Sequence, residues 1–558
     1  MLIPFPPVSS PLGKYELCVV GAGPAGIIVA LEYARRRPDH RVLLVDYGAP
    51  GAPVRNALDD RIGVRNPVNH HTPYECTNKG LGGSTASWGG RCVMYDRGDF
   101  LPRPVIGDGC TWDLSFYEEC VPHVAAAQRY FESGSGPFDL ADPETKTGPV
   151  PPLAEGFRSA LISDTVLERW SLPTRFGPQY EAELKALPNL DLLLGAEART
   201  LPAPDDSGRL SGIRLLEVAT GAETVVAADQ IVLATGAQEA TRLLLRNPQV
   251  FARLPAPPKA LGRHYQGHVS GKIASVRFTG DPKATEYGFR READGSYQRR
   301  RFQFTEQTLV GRNLLNTAFW LDNPLYFDPA HRSGAMSFMY LAMLMPILGK
   351  RLAPPAVAHS ITKGKANAIG AHLGNILRGL PGSLWTPASI FCRRYLRRRK
   401  LPGVFLYSGE NRYAVHFHAE QIPAEENRME MSADGKTLVI LYRVTEADAE
   451  GVIRAHELLD AELQACGAGR LEYWFPPEER LAAIQAMSKD GVHQSGTTRI
   501  ADDPERGVVN RDLRVWGTSN LHVCSSSVFP TSGQANPTFF MGVCAIRLAR
   551  HLADHAHR

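Results

Sequence analysis

The feature that most constrains the fold is a glycine-rich turn between two apolar segments near the start of the chain. Residues 15–20 (YELCVV) are typical of a buried strand, and G-A-G-P-A-G follows directly at 21–26. A helical run, 27–37, leads into a second apolar strand, 41–45, which ends at Asp46. This order predicts a strand–turn–helix–strand unit.

The three glycines of the turn have the G-x-G-x-x-G spacing of a dinucleotide-binding site. Gly21 allows the tight turn, Gly23 lets a pyrophosphate approach the backbone, and Gly26 lets the helix lie close to the sheet. Asp46 lies twenty residues past Gly26, where a carboxylate accepts hydrogen bonds from a ribose diol. The alternative, a glycine-rich turn that binds no ligand, would not explain why the second strand and Asp46 follow at the expected spacing. We therefore predict nucleotide contacts at Gly21, Gly23, Pro24, Ala25, Gly26 and Asp46.

Composition limits the class of protein. The 558 residues correspond to roughly three to four domains' worth of chain. A net charge of +4 gives no indication of a nucleic-acid partner. The N-terminal residues have no signal-peptide pattern, and the nine scattered cysteines form no C-x-x-C pair. We therefore expect a cytoplasmic protein without a metal site and without membrane contact.

A second glycine-rich segment, K-G-L-G-G-S-T-A-S-W-G-G-R, occupies residues 79–91. It has neither helical nor strand periodicity. Its glycines and small hydroxylated residues allow the backbone to approach a flat ligand closely. Beside a dinucleotide fold, we expect this loop to lie along a ring system.

Together the two segments resemble the glucose–methanol–choline (GMC) family of flavin oxidoreductases, closest to its branch of pyranose oxidases and sugar dehydrogenases. The resemblance implies FAD. Some sugar oxidases of that branch attach their flavin to a histidine in the second loop, but residues 79–91 contain none, so we expect non-covalent FAD. Cofactor contacts are expected in the second loop and beyond it, at Gly82, Gly83, Ser84, Thr85, Trp88, Gly89, Gly90, Ala198, Ala234, Gly236, Ser526, Pro537 and Thr538.

The remaining pattern predicts an α/β protein in two parts. A Rossmann-like FAD-binding domain would be built from segments 1–110, 186–262 and 486–558, with an insertion at 111–185 and a substrate domain at 263–485. In the first part, a helix is expected at 114–131 and strands at 191–194, 213–218, 223–227 and 230–236. In the second part, an antiparallel sheet is expected from strands at 272–278, 298–305, 314–321 and 413–421, a hairpin at 429–432 and 437–443, and a helix capped by Thr445 and Asp448.

The C-terminal segment carries the chemistry. His493 opens H-Q-S-G-T-T, and Asn536 directly precedes the last helix. In the resemblance, the residues at these positions face the reactive edge of the flavin, His493 as the catalytic base and Asn536 as its partner. Imidazole can take the alcohol proton because its ordinary pKa lies near neutrality. Asn536 hydrogen-bonds the same oxygen, and it could also cap the helix.

Other polar residues are weaker candidates. His418 and Gln421 are expected to contact substrate. His416 and His418 share one face of a strand, but no third metal ligand is evident, and His264 and His268 are expected to be structural.

Two further segments, one apolar and one basic, are not assigned to the site. The apolar run 335–349 is too short to span a bilayer, and we expect a buried or cap helix, with a membrane-surface or partner-binding helix as the alternative. The basic run 392–400 is expected to be a solvated face.

The sequence thus predicts FAD-dependent oxidation of an alcohol group on a sugar, glycoside or aminocyclitol, with oxygen or another electron acceptor. A sterol-type alcohol oxidase, a hydroxynitrile-lyase-like enzyme that keeps the flavin only for structure, and a non-catalytic scaffold are the alternatives. The sequence leaves the oligomeric state open.

Overall fold

The computed structural model describes residues 1–6, 12–51, 61–142, 151–171, 174–281, 287–323, 325–345, 367–397 and 399–556. The α-helices in these residues are Pro24–Arg36, Pro73–Cys76, Leu114–Cys120, Val124–Phe131, Phe176–Ala186, Gly236–Arg246, Glu306–Gly311, Gly334–Leu344, Ile369–Arg378, Gly382–Phe391, Glu446–Ala465, Pro477–Met487 and Pro537–Asp554.

The largest sheet has eight strands and holds the glycine-rich turn. Strands Lys14–Val20 and Val42–Asp46 are parallel neighbours at its centre. The other members of the sheet are Leu2–Ile3, Leu190–Leu194, Ala196–Thr200, Gly212–Glu217, Glu223–Leu233 and Leu521–Val523. All eight strands come from 1–110, 186–262 and 486–558, while the domain limits themselves stay a prediction.

One strand of this sheet was predicted as two. Glu223–Leu233 is continuous, because Ala228 in its middle is buried and pairs with Tyr15. Its first half pairs antiparallel with Gly212–Glu217, and its second half runs parallel to Lys14–Val20. The same backbone therefore closes the hairpin and returns the chain to the nucleotide-binding sheet.

The predicted antiparallel sheet is present but is divided into three. The six-stranded sheet contains Ile162–Ser163, His268–Phe278, Phe302–Phe304, Thr317–Asp322, Arg412–Glu420 and Gly469–Tyr473. A four-stranded sheet contains Arg91–Cys92, Leu167–Trp170, Arg290–Arg291 and Tyr297–Arg300, and a three-stranded sheet contains Ile62–Val64, Arg428–Met431 and Leu438–Leu441. The α/β fold class is confirmed, and most of the strands predicted for the antiparallel sheet lie in the six-stranded sheet.

Two predicted elements are interrupted for identifiable reasons. The strand expected at 298–305 passes from the four-stranded to the six-stranded sheet at Arg301, whose buried guanidinium donates to Gln534 Oε1 at 2.7 Å. The helix expected at 114–131 has a 3₁₀ turn at Val121–His123, where Pro122 has no N–H to continue the helical ladder.

Two predicted local features are present. Thr445 Oγ1 accepts from Asp448 N at 3.1 Å, and Asp448 Oδ2 accepts from Thr445 N at 2.8 Å, as expected of a capping box. The apolar run forms helix Gly334–Leu344, with Met336 and Tyr340 fully buried, while residues 346–349 lie outside the described part of the chain. No helix within the described ranges is long and apolar enough to cross a membrane.

Buried histidines make the fold sensitive to acid. Burial lowers the pKa values of His70, His456 and His522 from 6.5 to about 4. Below pH 6.5 the unfolded chain therefore binds more protons than the folded one. The contribution of these histidines to the free energy of unfolding is fully present above that pH and is lost as the pH falls towards 4. Each histidine contributes up to about 1.4 kcal/mol per pH unit in this window.

We expect the urea midpoint to fall steadily from pH 7.5 to pH 5. In a His456→Leu variant the fall should be less steep, because one of these titrating groups is removed. Equal midpoints at the two pH values would contradict the neutral, buried state of these side chains.

Candidate active site

The glycine-rich turn leaves a groove on the backbone. Gly21 has φ +104°, a conformation that favours glycine. A Cβ on Gly26 would lie 1.8 Å from Gly21 O, so only glycine allows the helix to sit this close. A Cβ on Gly23 would meet nothing within 4 Å, so this position faces open space at the helix N-terminus. The turn therefore has room for an anionic group where the free N–H groups converge.

Asp46 lies at the end of its strand, beside the turn. Its Oδ2 accepts from Ala22 N at 2.7 Å, and its Oδ1 accepts from Gly48 N at 2.9 Å. Burial raises the pKa of this carboxyl, and these backbone donors oppose the rise. A carboxylate has acceptor sites for about four hydrogen bonds, so with Gly80 as a third backbone donor it can still accept from a ligand hydroxyl.

A cavity of about 760 Å³ connects this groove to the C-terminal segment. Most of the predicted nucleotide-binding residues line it, together with His493 and Asn536: they are Gly21, Gly23, Pro24, Ala25, Asp46, Gly83, Ser84, Thr85, Trp88, Gly89, Ala198, Ala234, Gly236, Ser526, Pro537 and Thr538.

Three residues predicted to contact the cofactor, Gly26, Gly82 and Gly90, do not line the cavity but pack or hydrogen-bond behind it. Gly26 packs on Gly21. Gly82 donates its N–H to Ala22 O at 2.7 Å, and Gly90 O accepts from Ser171 N at 2.6 Å. Both have positive φ, which explains why the second loop requires glycine at these points.

The residues fit FAD. Thr235 Oγ1 and Gln238 Oε1, both in residues that line the cavity, are buried without a hydrogen-bond partner. Buried polar atoms normally have partners, so these two are available to a bound group. The glycine groove, Asp46 and the second loop supply the anion, diol and ring contacts that a flavin dinucleotide requires.

His493 and Asn536 meet at the other end of the cavity. Asn536 Nδ2 lies 2.7 Å from His493 Nε2, and His493 Nδ1 lies 3.2 Å from Asp490 Oδ2. A carboxylate only accepts, so the imidazole proton is on Nδ1, and Nε2 accepts from the amide. Asn536 stands at the N-cap position, but its side chain makes no cap bond. The side chain is directed to His493 instead.

Asp490 was missed at the sequence level. Its Oδ1 accepts from the N–H groups of Gly491, Val492 and His493, and its Oδ2 accepts from His268 N at 2.7 Å. Burial opposes ionisation, but the neighbouring imidazoles and hydrogen bonds outweigh it and hold the Asp490 pKa well below its usual range. The only sequence signal was an acid three residues before the histidine.

Two further imidazoles adjoin His493. His268 and His418 stack with ring centroids 4.0 Å apart, and both rings meet His493 edge-on. Ligand atoms of these three residues lie within 4.8 Å of one another, whereas His416, the partner of His418 in the sequence pattern, stacks on Trp320 instead. Burial lowers the pKa of both His268 and His418. His268, which was expected to be structural, therefore lies beside His493.

The two residues predicted to contact substrate, His418 and Gln421, have different surroundings. His418 Nδ1 donates to Gln534 O at 2.8 Å, which leaves its Nε2 as an acceptor beside His493. Gln421 is fully buried, and its amide accepts from Gly267 N and donates to Arg443 O, both at 2.9 Å. Gln421 is not among the residues that line the cavity, and its amide bonds to backbone groups, which argues against the expected substrate contact.

Arg91, the last residue of the second loop, also lines the cavity. Its guanidinium lies 4.1 Å from the Trp320 ring centroid and forms an ion pair with Glu168, a buried carboxylate that also pairs with Arg299. Burial lowers the Arg91 pKa to about 10, so the group stays cationic at neutral pH. This places a positive charge in the wall of the cavity.

Residues 423–545 match the family model described as GMC oxidoreductase. Across 97% of this chain and 92% of the relative, the sequence is 24% identical to a 6'''-hydroxyparomomycin C oxidase of Streptomyces lividus. A C-glycoside 3-oxidase of Arthrobacter globiformis is 31% identical over 25% of this chain and 26% of its own.

The solved structure of pyridoxine 4-oxidase from Mesorbium loti superposes with a TM-score of 0.51 at 17% identity, over 97% of this chain and 100% of that one. A fungal aryl-alcohol oxidase gives a TM-score of 0.51 at 15% identity, over 97% and 99%. These likenesses concern the fold. The segment that holds His493 and Asn536 is the one that matches the GMC oxidoreductase family, and with the oxidase relatives this match indicates that the chain is an FAD-dependent alcohol oxidoreductase.

Proposed function

We propose that this enzyme oxidises an alcohol group of a sugar or glycoside, with His493 as the base. The observation that carries the proposal is the Asp490–His493–Asn536 arrangement at the end of the cavity, where an unprotonated Nε2 faces an amide donor. The names of the relatives in Streptomyces lividus and Arthrobacter globiformis support a sugar-derived substrate.

The chain's own residues supply the proton chemistry. The substrate hydroxyl would enter between His493 and Asn536, donating to Nε2 and accepting from Nδ2 in place of their mutual hydrogen bond. Nε2 then takes the proton, and Asp490 stabilises the imidazolium through Nδ1–H. FAD, when bound, accepts the hydride that leaves the alcohol carbon. We further propose that FAD is held non-covalently.

Asp490 acts as a positioning residue in this scheme. In an Asp490→Asn variant the new amide can donate to Nδ1, which would place the imidazole proton on Nε2 and remove the acceptor. We expect the rate of flavin reduction to fall by about 10²–10⁴-fold with little change in apparent substrate affinity. Asp490→Glu, which keeps the charge, should retain more activity. An unchanged rate in Asp490→Asn would remove Asp490 from the mechanism.

The charges of the cavity favour a neutral or acidic sugar over a polycationic aminoglycoside. The carboxylates that line it are engaged: Asp46 by backbone N–H groups, Glu197 by Arg242, and Glu239 by Arg242 and Lys79. Glu75 belongs to a capping box with Thr72. Glu168 is shared between Arg91 and Arg299, so this group keeps one uncompensated positive charge beside the cavity, which repels an ammonium group.

The test is anaerobic mixing of the holoenzyme with a neutral glycoside, the corresponding uronic acid, the corresponding amino sugar and a sterol. We expect the neutral or acidic sugar to bleach the flavin at least about tenfold more efficiently than the amino sugar, because like charges at close range are costly. Arg91→Met should reduce this preference, and Arg91→Lys should keep it. The exposed Arg129→Met is the control for loss of one positive charge.

Each other outcome has a defined meaning. Better turnover of the amino sugar would contradict the charge argument. Bleaching by the sterol alone would favour a sterol-type alcohol. Cyanohydrin cleavage without bleaching would establish the lyase alternative and overturn alcohol oxidation as the role of this site.

A further inference from the structure

The exposed apolar side chains of this protein are concentrated in one place. Of nineteen large hydrophobic residues that are exposed among the described residues, nine lie between Ile369 and Leu396. They belong to helices Ile369–Arg378 and Gly382–Phe391, to the connection 379–381 and to the following turn Cys392–Leu396, which together we call the exposed hairpin. Monomeric soluble proteins rarely leave a contiguous patch of this kind uncovered.

The first helix of the exposed hairpin has its polarity reversed. His372 and Asn375 are the buried residues, and they bond to Ser337 Oγ at 2.9 Å and Pro329 O at 2.9 Å respectively. Ile369, Leu373 and Leu377, at helical spacing of four, form the exposed stripe. The polar face of this helix therefore packs against the protein, and its apolar face is exposed to solvent.

The second helix continues the apolar surface. Leu384 and Trp385 are exposed, Trp385 by 74%, and Leu396 in the following turn is exposed by 72%. Ser383 is buried and donates to Ile376 O at 2.9 Å, which ties the two helices together. Tryptophan and tyrosine, here Trp385 and Tyr395, are the residues enriched at the interface between a membrane and water.

The sequence segment that contains the exposed hairpin carries charge of one sign. Between Asp328 and Glu410 the sequence contains twelve Lys or Arg and no Asp or Glu. The whole chain is only +4, so the rest of it is net negative. Arg378, Arg393 and Arg397 are exposed on the hairpin itself. A second copy of this surface would bring like charges together, whereas an anionic lipid surface complements both the charge and the apolar stripe.

We propose that the exposed hairpin docks on an anionic lipid bilayer, with its leucines and Trp385 at the headgroup boundary and its arginines on the lipid phosphates. It lies on the surface, since none of the described helices has the length and apolarity to span a bilayer. Arg394 Nη1 donates to Pro402 O at 2.9 Å, and Pro402 lines the catalytic cavity, so the docked surface adjoins the site. This is the reverse of the absence of membrane contact expected from composition.

The test is sedimentation of the FAD-loaded full chain with vesicles of phosphatidylcholine alone or with a quarter of phosphatidylglycerol. We expect partitioning into the anionic vesicles that weakens as salt rises, and little into the neutral ones. Leu377→Ser with Trp385→Ser should weaken it about tenfold or more, because two exposed anchors are lost. Arg393→Glu with Arg397→Glu should weaken it without changing the flavin spectrum.

The controls separate this surface from the rest of the protein. Val225→Ser and Arg129→Glu change an exposed apolar side chain and an exposed charge elsewhere, and they should leave partitioning intact. Thermal midpoints report whether each variant is folded. The proposal is overturned by equal partitioning into both vesicle types, by none, or by self-association in light scattering that the hairpin substitutions abolish.

Discussion

Replacing His493 by alanine is expected to slow flavin reduction by about 10²–10⁴-fold, the range typical of a lost general base. The imidazole Nε2 is the acceptor that faces Asn536, and alanine leaves no group at that point to take the alcohol proton. Substrate binding and the FAD spectrum should change little, because His493 does not belong to either glycine-rich segment. The measurement is stopped-flow reduction without oxygen, at saturating substrate.

The control is His264→Ala, which removes a partly exposed histidine that bonds Pro423 O at 3.2 Å and does not line the cavity. Its reduction rate should match that of the parent protein. If His493→Ala reduced its flavin at the parental rate, the base would have to be another residue, and His418 would be the next to test.

The second large effect concerns two glycines three residues apart. In Gly26→Ala the new Cβ would lie 1.8 Å from Gly21 O, a backbone atom that cannot move aside. We expect a loss of about 3 kcal/mol or more in the free energy of unfolding, or failure to fold. In Gly23→Ala the Cβ meets nothing within 4 Å, so the FAD-free protein should keep its stability.

Gly23→Ala should nevertheless bind FAD at least about tenfold more weakly, because the methyl group enters the space that a pyrophosphate would fill. Urea unfolding of the FAD-free chain and the flavin-to-protein ratio after purification measure the two effects separately. Gly370→Ala, in an exposed helix with nothing near its Cβ, is the control and should affect neither FAD binding nor folding adversely. Normal FAD affinity in Gly23→Ala would contradict the placement of the pyrophosphate at this turn.

Local patterns were sufficient for the elements whose causes are local. The turn at 21–26 could be predicted because backbone geometry and close helix packing admit only glycine there, and the cap at Thr445 because it needs two residues three apart. Strand boundaries were less predictable. Whether 223–233 is one strand or two depends on the neighbours of Ala228, and these come from the start of the chain.

At the site too, features with local causes could be predicted from the sequence, and features that depend on distant segments could not. His493 and Asn536 were predicted from short motifs, and the structure places their side chains 2.7 Å apart. The closeness of His268 to His493 could not be predicted, because it depends on a strand more than 200 residues earlier. Nor does a sequence show whether a side-chain amide such as that of Gln421 points to a cavity or to backbone.

The sequence by itself determined the glycine turn at 21–26 and predicted the second glycine-rich loop and the His493–Asn536 pair as parts of the site, since each depends on residue types at short, regular spacing. Only the tertiary structure decided which side chains surround His493, where the Arg91 charge lies, and that Ile369, Leu373 and Leu377 face outward. The physical reason is that burial, hydrogen-bond commitment and local charge are set by segments far apart in the chain, and these meet only when the sheets are assembled.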